Sequence, residues 1–247
     1  MLLPDRLTLM QRLQDAARNG YTHHTGGQVA SAKWAKLATK FAHAYDTELH
    51  KSTRSRRRRA GEATALLYGA APPPYLPDAP VVWMLMATDG KGRIHQMEQL
   101  QELRAKRIEL DGYELIHDGV TWSWRMTHRR YQYWHSRIRE ICAKKPDRRH
   151  QHERDGVPVD PDIEQVFDAL YNTPGFRLVR RQVGQLVTFA RREWERLRPA
   201  SGPKLNARTF LPYVTRLPNQ RKKSAEGQET ALELLLKAGT SNPPAAG

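Results

Sequence analysis

The spacing of apolar residues predicts most of the elements. Over residues 5–19, Leu9 or Met10, Leu13 and Ala16 or Ala17 recur at helical intervals, and Asn19-Gly20 is a stop signal. "YTHHTGGQ" (21–28) reads as a loop. A long helix is expected over 28–50, with Ala30, Trp34, Leu37, Phe41 and Tyr45 as its apolar stripe. The basic run "STRSRRRR" (52–59) follows, then a short apolar helix over "GEATALLYGA" (61–70). "APPPYLPDAP" (71–80) reads as an extended linker, because proline disfavours both helix and inner strand.

Beyond it, "VVWMLMAT" (81–88) is a continuous apolar run of strand length. Residues 94–108 read as a helix, with Met97, Leu100, Leu103 and Ile108 recurring. Asp118-Gly119 is the strongest hairpin signal. A two-residue turn there pairs His117 with Val120, Leu115 with Trp122 and Tyr113 with Trp124. One face then carries Tyr113, Leu115, His117, Val120, Trp122 and Trp124, a core-type set. Thr127 is placed to cap a helix over 128–144, with Tyr131, Trp134, Ile138 and Ile141 inward. Further helices are expected over 162–172 and 176–198. The second has the longest stripe, Phe176, Val179, Val183, Leu186, Ala190, Trp194 and Leu197, with arginines filling the other sectors. Residues 199–227 are basic and proline-punctuated, and 228–238 form a short acidic amphipathic helix.

These elements give a mixed α/β, mostly α-helical chain. Its expected parts are a basic helical region (1–70), the linker 71–80, an α/β unit with a β-hairpin (81–145), a linker (146–161), a helical region (162–198) and a basic extended segment with the acidic helix (199–247). The order strand–helix–hairpin–helix in the central unit admits a winged-helix-like or an RRM-like topology. In the first, helix 94–108 would read base edges through Gln99, Arg104 or Lys106. The second lacks a recognisable final strand.

Charge turns this architecture towards a function. Lys and Arg number 41 against 26 Asp and Glu, a net charge of +15. Such an excess attracts polyanions, of which nucleic acid is the commonest. The phosphate-contacting candidates are Lys33, Lys36, Lys40, Arg54, Arg56, Arg57, Arg58, Arg59, Arg104, Lys106, Arg130, Arg137 and Lys144. The composition points to a bacterial nucleic-acid-binding accessory, replication or regulatory factor of a mobile element, and the topology of the central unit, with helix 94–108 as a reader, favours DNA over RNA. The alternatives are RNA binding, a metal-independent RNA-processing endonuclease, or a basic scaffold in a ribonucleoprotein whose helix 228–238 docks a protein partner. The endonuclease would draw its general base from His23, His24 or His128.

Other chemistries have little support. Cys142 is the lone cysteine, so no disulfide framework or cysteine-rich zinc site is expected, and a lone thiol fits a reducing cytoplasm. No metal and no cofactor are expected. The pair His150 and His152 lies in a polar connector without a fixed third ligand. No phosphate-cradling Gly-Lys loop, no GxSxG and no clustered acidic residues for two-metal chemistry occur. Neither a secretory leader nor a membrane span is expected.

Overall fold

The computed structural model describes residues 1–144, 152–154, 157–198, 205 and 211–214. The fold is mixed α/β with helix predominating. It divides into two compact units, one built on Met1–Arg107 and the other on Ile108–Thr215.

The first unit centres on a five-stranded sheet. Its strands are β1 (Leu2–Leu3), β2 (His23–Val29), β3 (Ala65–Ala70), β4 (Val81–Ala87) and β5 (Gln101–Glu102), in the order β1-β3-β4-β2-β5. Only the β1–β3 pairing is parallel. The helices are α1 (Arg6–Arg18), α2 (Trp34–Tyr45), α3 (Lys51–Arg59) and α4 (Arg93–Met97). Asp5 caps α1 by accepting from the Thr8 amide at 2.7 Å.

Strand alternation decides what each face of the sheet buries. Leu67, Leu85 and Val81 share one face and pack with Trp34 and Phe41 of α2 and Ile94 of α4. Gly69 lies on this face beneath Trp34, and a Cβ there would come within 2.6 Å of the indole. Tyr68 points the other way, close to Arg12 and Asp15 of α1, and burial pushes its hydroxyl up to about 12.

Several expectations change here. Residues 23–29 are strand, not loop. Gly26 fits a strand packed closely on β4, since a Cβ there would sit 2.2 Å from the Met84 sulfur and 2.7 Å from the Trp83 carbonyl oxygen, while a Cβ at Gly27 would meet the Trp83 ring at an ordinary 3.5 Å. The helix expected over 28–50 is confined to a 3₁₀ turn (Ser31–Lys33) and α2, and Asp46 ends it in the left-handed region at φ 53°. Residues 65–70 form β3 rather than a helix, since pairing with β4 overrides the helical preference of alanine and leucine. Residues 71–80 join β3 to its antiparallel neighbour β4, so they lie inside one unit and the division falls after Arg107.

Helix 94–108 shrinks to the five residues of α4. The chain then extends to pair Gln101 and Glu102 with His24 and His23, and the Leu103 amide donates to the Thr22 carbonyl at 2.8 Å. Strand β4 and the hairpin belong to different sheets. The winged-helix-like and RRM-like arrangements of 81–145 therefore both lose their framework.

The second unit carries a three-stranded antiparallel sheet of β6 (Glu109–Leu110), β7 (Tyr113–His117) and β8 (Trp122–Met126). Helix α5 (His128–Ala143), the hairpin β9 (His152–Arg154) and β10 (Val157–Val159), α6 (Pro161–Tyr171) and α7 (Arg177–Leu197) follow. The connector expected over 146–161 thus contains a strand pair. Thr127 caps α5, accepting from the Arg130 amide at 3.3 Å.

The β7–β8 register differs from the expected one by two residues. His117 pairs with Trp122, Leu115 with Trp124 and Tyr113 with Met126. Asp118 explains the longer loop. Its carboxylate accepts from the amides of Val120 and Thr121 at 3.2 and 3.0 Å and pairs with Arg177. These contacts hold the carboxyl down at about 2, with the Thr121 amide first among them. A slip of two preserves the faces, so Tyr113, Leu115, Trp122 and Trp124 are buried as expected, while Val120 moves to the exposed loop. Gln182 of α7 clasps the end of β8, its side chain accepting from the Met126 amide at 2.6 Å and donating to the Met126 carbonyl at 3.2 Å. The helix expected over 228–238 lies outside the described residues.

Candidate nucleic-acid interface

Helix α3 is the most unusual element of the first unit. Lys51, Arg54, Arg56, Arg57, Arg58 and Arg59 are six of its nine residues, and it buries none of them. Cations three and four apart on a helix repel, so this sequence disfavours its own helix over most of its length. Arg56–Arg59 occupy the last turn, where the helix dipole welcomes positive charge. His50 caps the start, its Nδ1 accepting from the Ser52 amide at 3.4 Å.

Three of the arginines hold the helix in place. Arg54 donates to the Leu49 carbonyl at 2.6 Å. Arg57 pairs with Asp46 at 2.7 Å and with Glu62 at 3.7 Å. Arg58 lies over the Tyr21 ring, 5.8 Å from its centroid. Arg56 and Arg59 are exposed, with no ion pair among the described residues, and Lys51 is exposed beside them in sequence order at the helix start. The eight-residue basic run thus splits into arginines engaged within the protein and arginines without an ion pair among the described residues.

On α2 and the turn before it, Lys33, Lys36 and Lys40 are all exposed, with Lys40 5.8 Å from the Phe41 ring centroid. Arg104 and Lys106 also stay exposed, but on the turn after β5 rather than on a recognition helix. The Lys106 carbonyl is occupied by His24 Nε2 at 2.8 Å.

The candidates of the second unit are engaged within the protein. Arg130 donates to the Asp111 carbonyl at 2.9 Å and lies 4.6 Å from the Tyr113 ring centroid. It braces the left-handed turn Asp111-Gly112 (φ 48° and 78°). Arg137 pairs with Glu140 at 3.1 Å, and Lys144 with Asp162 at 3.3 Å. The Arg137–Glu140 pair is legible as helix spacing, whereas the partners of Arg130 and Lys144 lie too far along the chain for spacing to reveal.

The histidines separate just as clearly. His24 is buried with its Nδ1 lacking a partner among the described residues, and burial lowers its pKa. It is a packing residue of the sheet. His128 is exposed as the first residue of α5. His23 sits at one end of the sheet, its Nδ1 3.2 Å from Asp89 and its ring edge-on to His95 with centroids 5.0 Å apart. His95 Nε2 donates to the Thr88 carbonyl at 2.9 Å. Asp89 and His95 lie 66 and 72 positions from His23, and no local pattern announces them.

The segment leaving α3 meets this same end of the sheet. The Ala63 amide donates to the Lys91 carbonyl at 2.9 Å, and the Lys91 amide to the Gly61 carbonyl at 2.8 Å. Gly90, at φ 124°, admits that approach, since a Cβ there would lie 2.7 Å from the Gly61 carbonyl oxygen.

Burial pushes the Cys142 thiol up to about 11, which makes it a packed apolar group rather than a nucleophile. Among the described residues no cluster of three or more His, Cys, Asp or Glu is placed to hold a metal ion, and no helix is long and apolar enough to cross a membrane. His150 and the side chain of His152 lie outside the described residues. No family model, curated protein or solved structure matches the chain.

Proposed function

We propose that the protein binds nucleic acid through the sugar–phosphate backbone, using Lys51, Arg56 and Arg59 of α3 and Lys33, Lys36 and Lys40 of the α2 region. The observation that carries this reading is a nine-residue helix with six cations and no buried residue. Lys51, Arg56 and Arg59 contribute little to folding, and a polyanion relieves the self-repulsion of the helix. The expected preference for duplex DNA relied on helix 94–108 as a reader of bases. With that helix reduced to α4, the reading becomes one of phosphate contact without base readout. A non-catalytic accessory factor for replication or transfer suits such binding.

The test is an affinity measurement with duplex DNA, single-stranded DNA and structured RNA over a range of salt. Affinity that falls steeply with salt is expected. Affinity that barely responds to salt overturns the proposal.

A second reading rests on His23, Asp89 and His95. Each imidazole has one nitrogen engaged and the other without a hydrogen-bond partner among the described residues. Such a pair suits cleavage of RNA without metal. One imidazole takes the 2′-hydroxyl proton as O2′ bonds to phosphorus. The P–O5′ bond breaks, and the other imidazole protonates O5′, leaving a 2′,3′-cyclic phosphate and a 5′-hydroxyl. Cleavage in chelator that is lost in both His23→Ala and His95→Ala supports this reading, and intact RNA after incubation with the unaltered protein removes it.

A further inference from the structure

The second unit holds a cavity of about 420 Å³ along α7. Its volume falls in the range of small-ligand sites, roughly 300–1,000 Å³. Arg181, Gly184, Thr188 and Arg191 border it from one sector of α7, spaced three and four apart. Val183 and Val187 supply an apolar floor. No carboxylate lines it among the described residues.

The far wall is a stack of two side chains. The Arg180 guanidinium lies 3.5 Å from the Tyr213 ring centroid, and its Nε donates to the Leu211 carbonyl at 2.5 Å. The Val214 amide donates to the Gly175 carbonyl at 3.1 Å, which ties residues 211–214 to the start of α7. Tyr213 is nevertheless 64% exposed, so much of its surface stays open. Gly184 keeps the mouth open: a Cβ there meets nothing within 4 Å. Glycine in a helix interior costs stability relative to alanine, so folding alone gives no reason for it.

Arg181 and Arg191 are exposed and form no ion pair among the described residues. Ten residues of helix separate them, about 15 Å along the axis. One terminal phosphate is too small to engage both ends. Two phosphates of one strand, separated by a short run of nucleotides, match the spacing better.

We propose that this cavity seats one nucleotide of single-stranded nucleic acid. Its planar base lies against Tyr213, and Arg181 and Arg191 hold phosphates of the strand to either side of it. The class of ligand rests on the nucleic-acid reading above, but the site lies in the other unit and involves none of the same residues.

The experiment measures binding of a labelled oligothymidylate, thymidine monophosphate and duplex DNA by the full chain and its variants. Arg181→Gln with Arg191→Gln is expected to weaken oligothymidylate binding and to flatten its salt dependence by about 0.7 per arginine on a log–log plot. Tyr213→Ala is expected to weaken binding about five- to hundred-fold, with Tyr213→Phe close to the unaltered protein. Gly184→Leu should raise the melting temperature and yet block binding, a combination that loss of fold does not produce. Unchanged oligothymidylate affinity in the double arginine variant and in Gly184→Leu overturns the proposal, as does thymidine monophosphate binding as tightly as the strand. Variants of Lys51, Arg56 and Arg59 report separately on α3 through duplex binding, so either site can fail alone.

Discussion

Helices α3 and α7 are both rich in arginine, yet they are built on opposite principles. Helix α7 buries Leu178, Val179, Val183, Leu186, Val187, Ala190 and Trp194 along its 21 residues. Its arginines ride outside that stripe, and several find partners, Arg177 with Asp118 and Arg196 with Glu193 among them, while Arg198, the residue after the helix, is buried and bonded to the Ile141 carbonyl and Asp160. Helix α3 buries nothing and carries no acid of its own. Arginine content is therefore a poor guide to role. What the rest of the helix buries is the better one, because burial supplies most of a helix's stability in a folded protein.

The sharpest way to break this contrast is to cut each helix where it differs. Leu186→Ala in α7 should cost about 2–5 kcal/mol of stability, read from urea unfolding. The triple change Lys51→Gln, Arg56→Gln and Arg59→Gln in α3 should leave the unfolding free energy within about 0.5 kcal/mol. Equal losses in the two would mean that α3 is held by its charges as α7 is by its apolar stripe.

Helix α2 is an intermediate case, with an apolar side on the sheet and exposed lysines elsewhere. Gly69→Ala places a methyl against Trp34, so a loss of about 1–3 kcal/mol is expected, with a shift in tryptophan fluorescence. A neutral outcome would show that α2 can lift off the sheet without penalty.

A smaller effect separates buried from exposed basic groups by pH. His24 is buried neutral, and burial lowers its pKa below 6.5. The unfolded chain then binds the extra proton first. Stability from this group is complete above about pH 6.5 and declines as the pH falls below it, by at most about 1.4 kcal/mol per pH unit. In His24→Gln that part of the decline should be missing. Smallest of all, Arg57→Gln removes exposed ion pairs to Asp46 and Glu62, and about 1 kcal/mol or less is expected, vanishing in high salt.

The contrast also explains which parts of the molecule were legible in the sequence. Long stripes were: α1, α5, α6 and α7 form where periodicity placed them, and Thr127 caps α5 as its position suggested. The faces of the hairpin were legible, but its register was not. Asp118 binds two amides ahead of it, and that loop chemistry outweighs the simple Asp-Gly turn. Short segments whose state depends on distant partners were not legible. Gly26-Gly27 resembles a loop until Met84 and Trp83 are seen to need the space. "ALLYGA" resembles a helix until β4 lies beside it. The same limit applies to the basic surface. The run 54–59 stood out, but only the structure separates Arg54, Arg57 and Arg58, which have protein partners, from Arg56 and Arg59, which have no ion pair among the described residues. The arginines of α7 also stood out. Their gathering around a cavity depends on Gly184 and on Tyr213, 22 residues past Arg191, and no local spacing conveys that.

The central claim is that the exposed cations of α3 sit on nucleic-acid phosphates. It is tested most directly by the salt dependence of duplex DNA binding, compared between the unaltered protein and the variant lacking Lys51, Arg56 and Arg59. The account predicts that the slope of log affinity against log salt shallows by about 0.9 for each cation that contacts a phosphate, with unfolding unchanged. Identical slopes for the two proteins would contradict it.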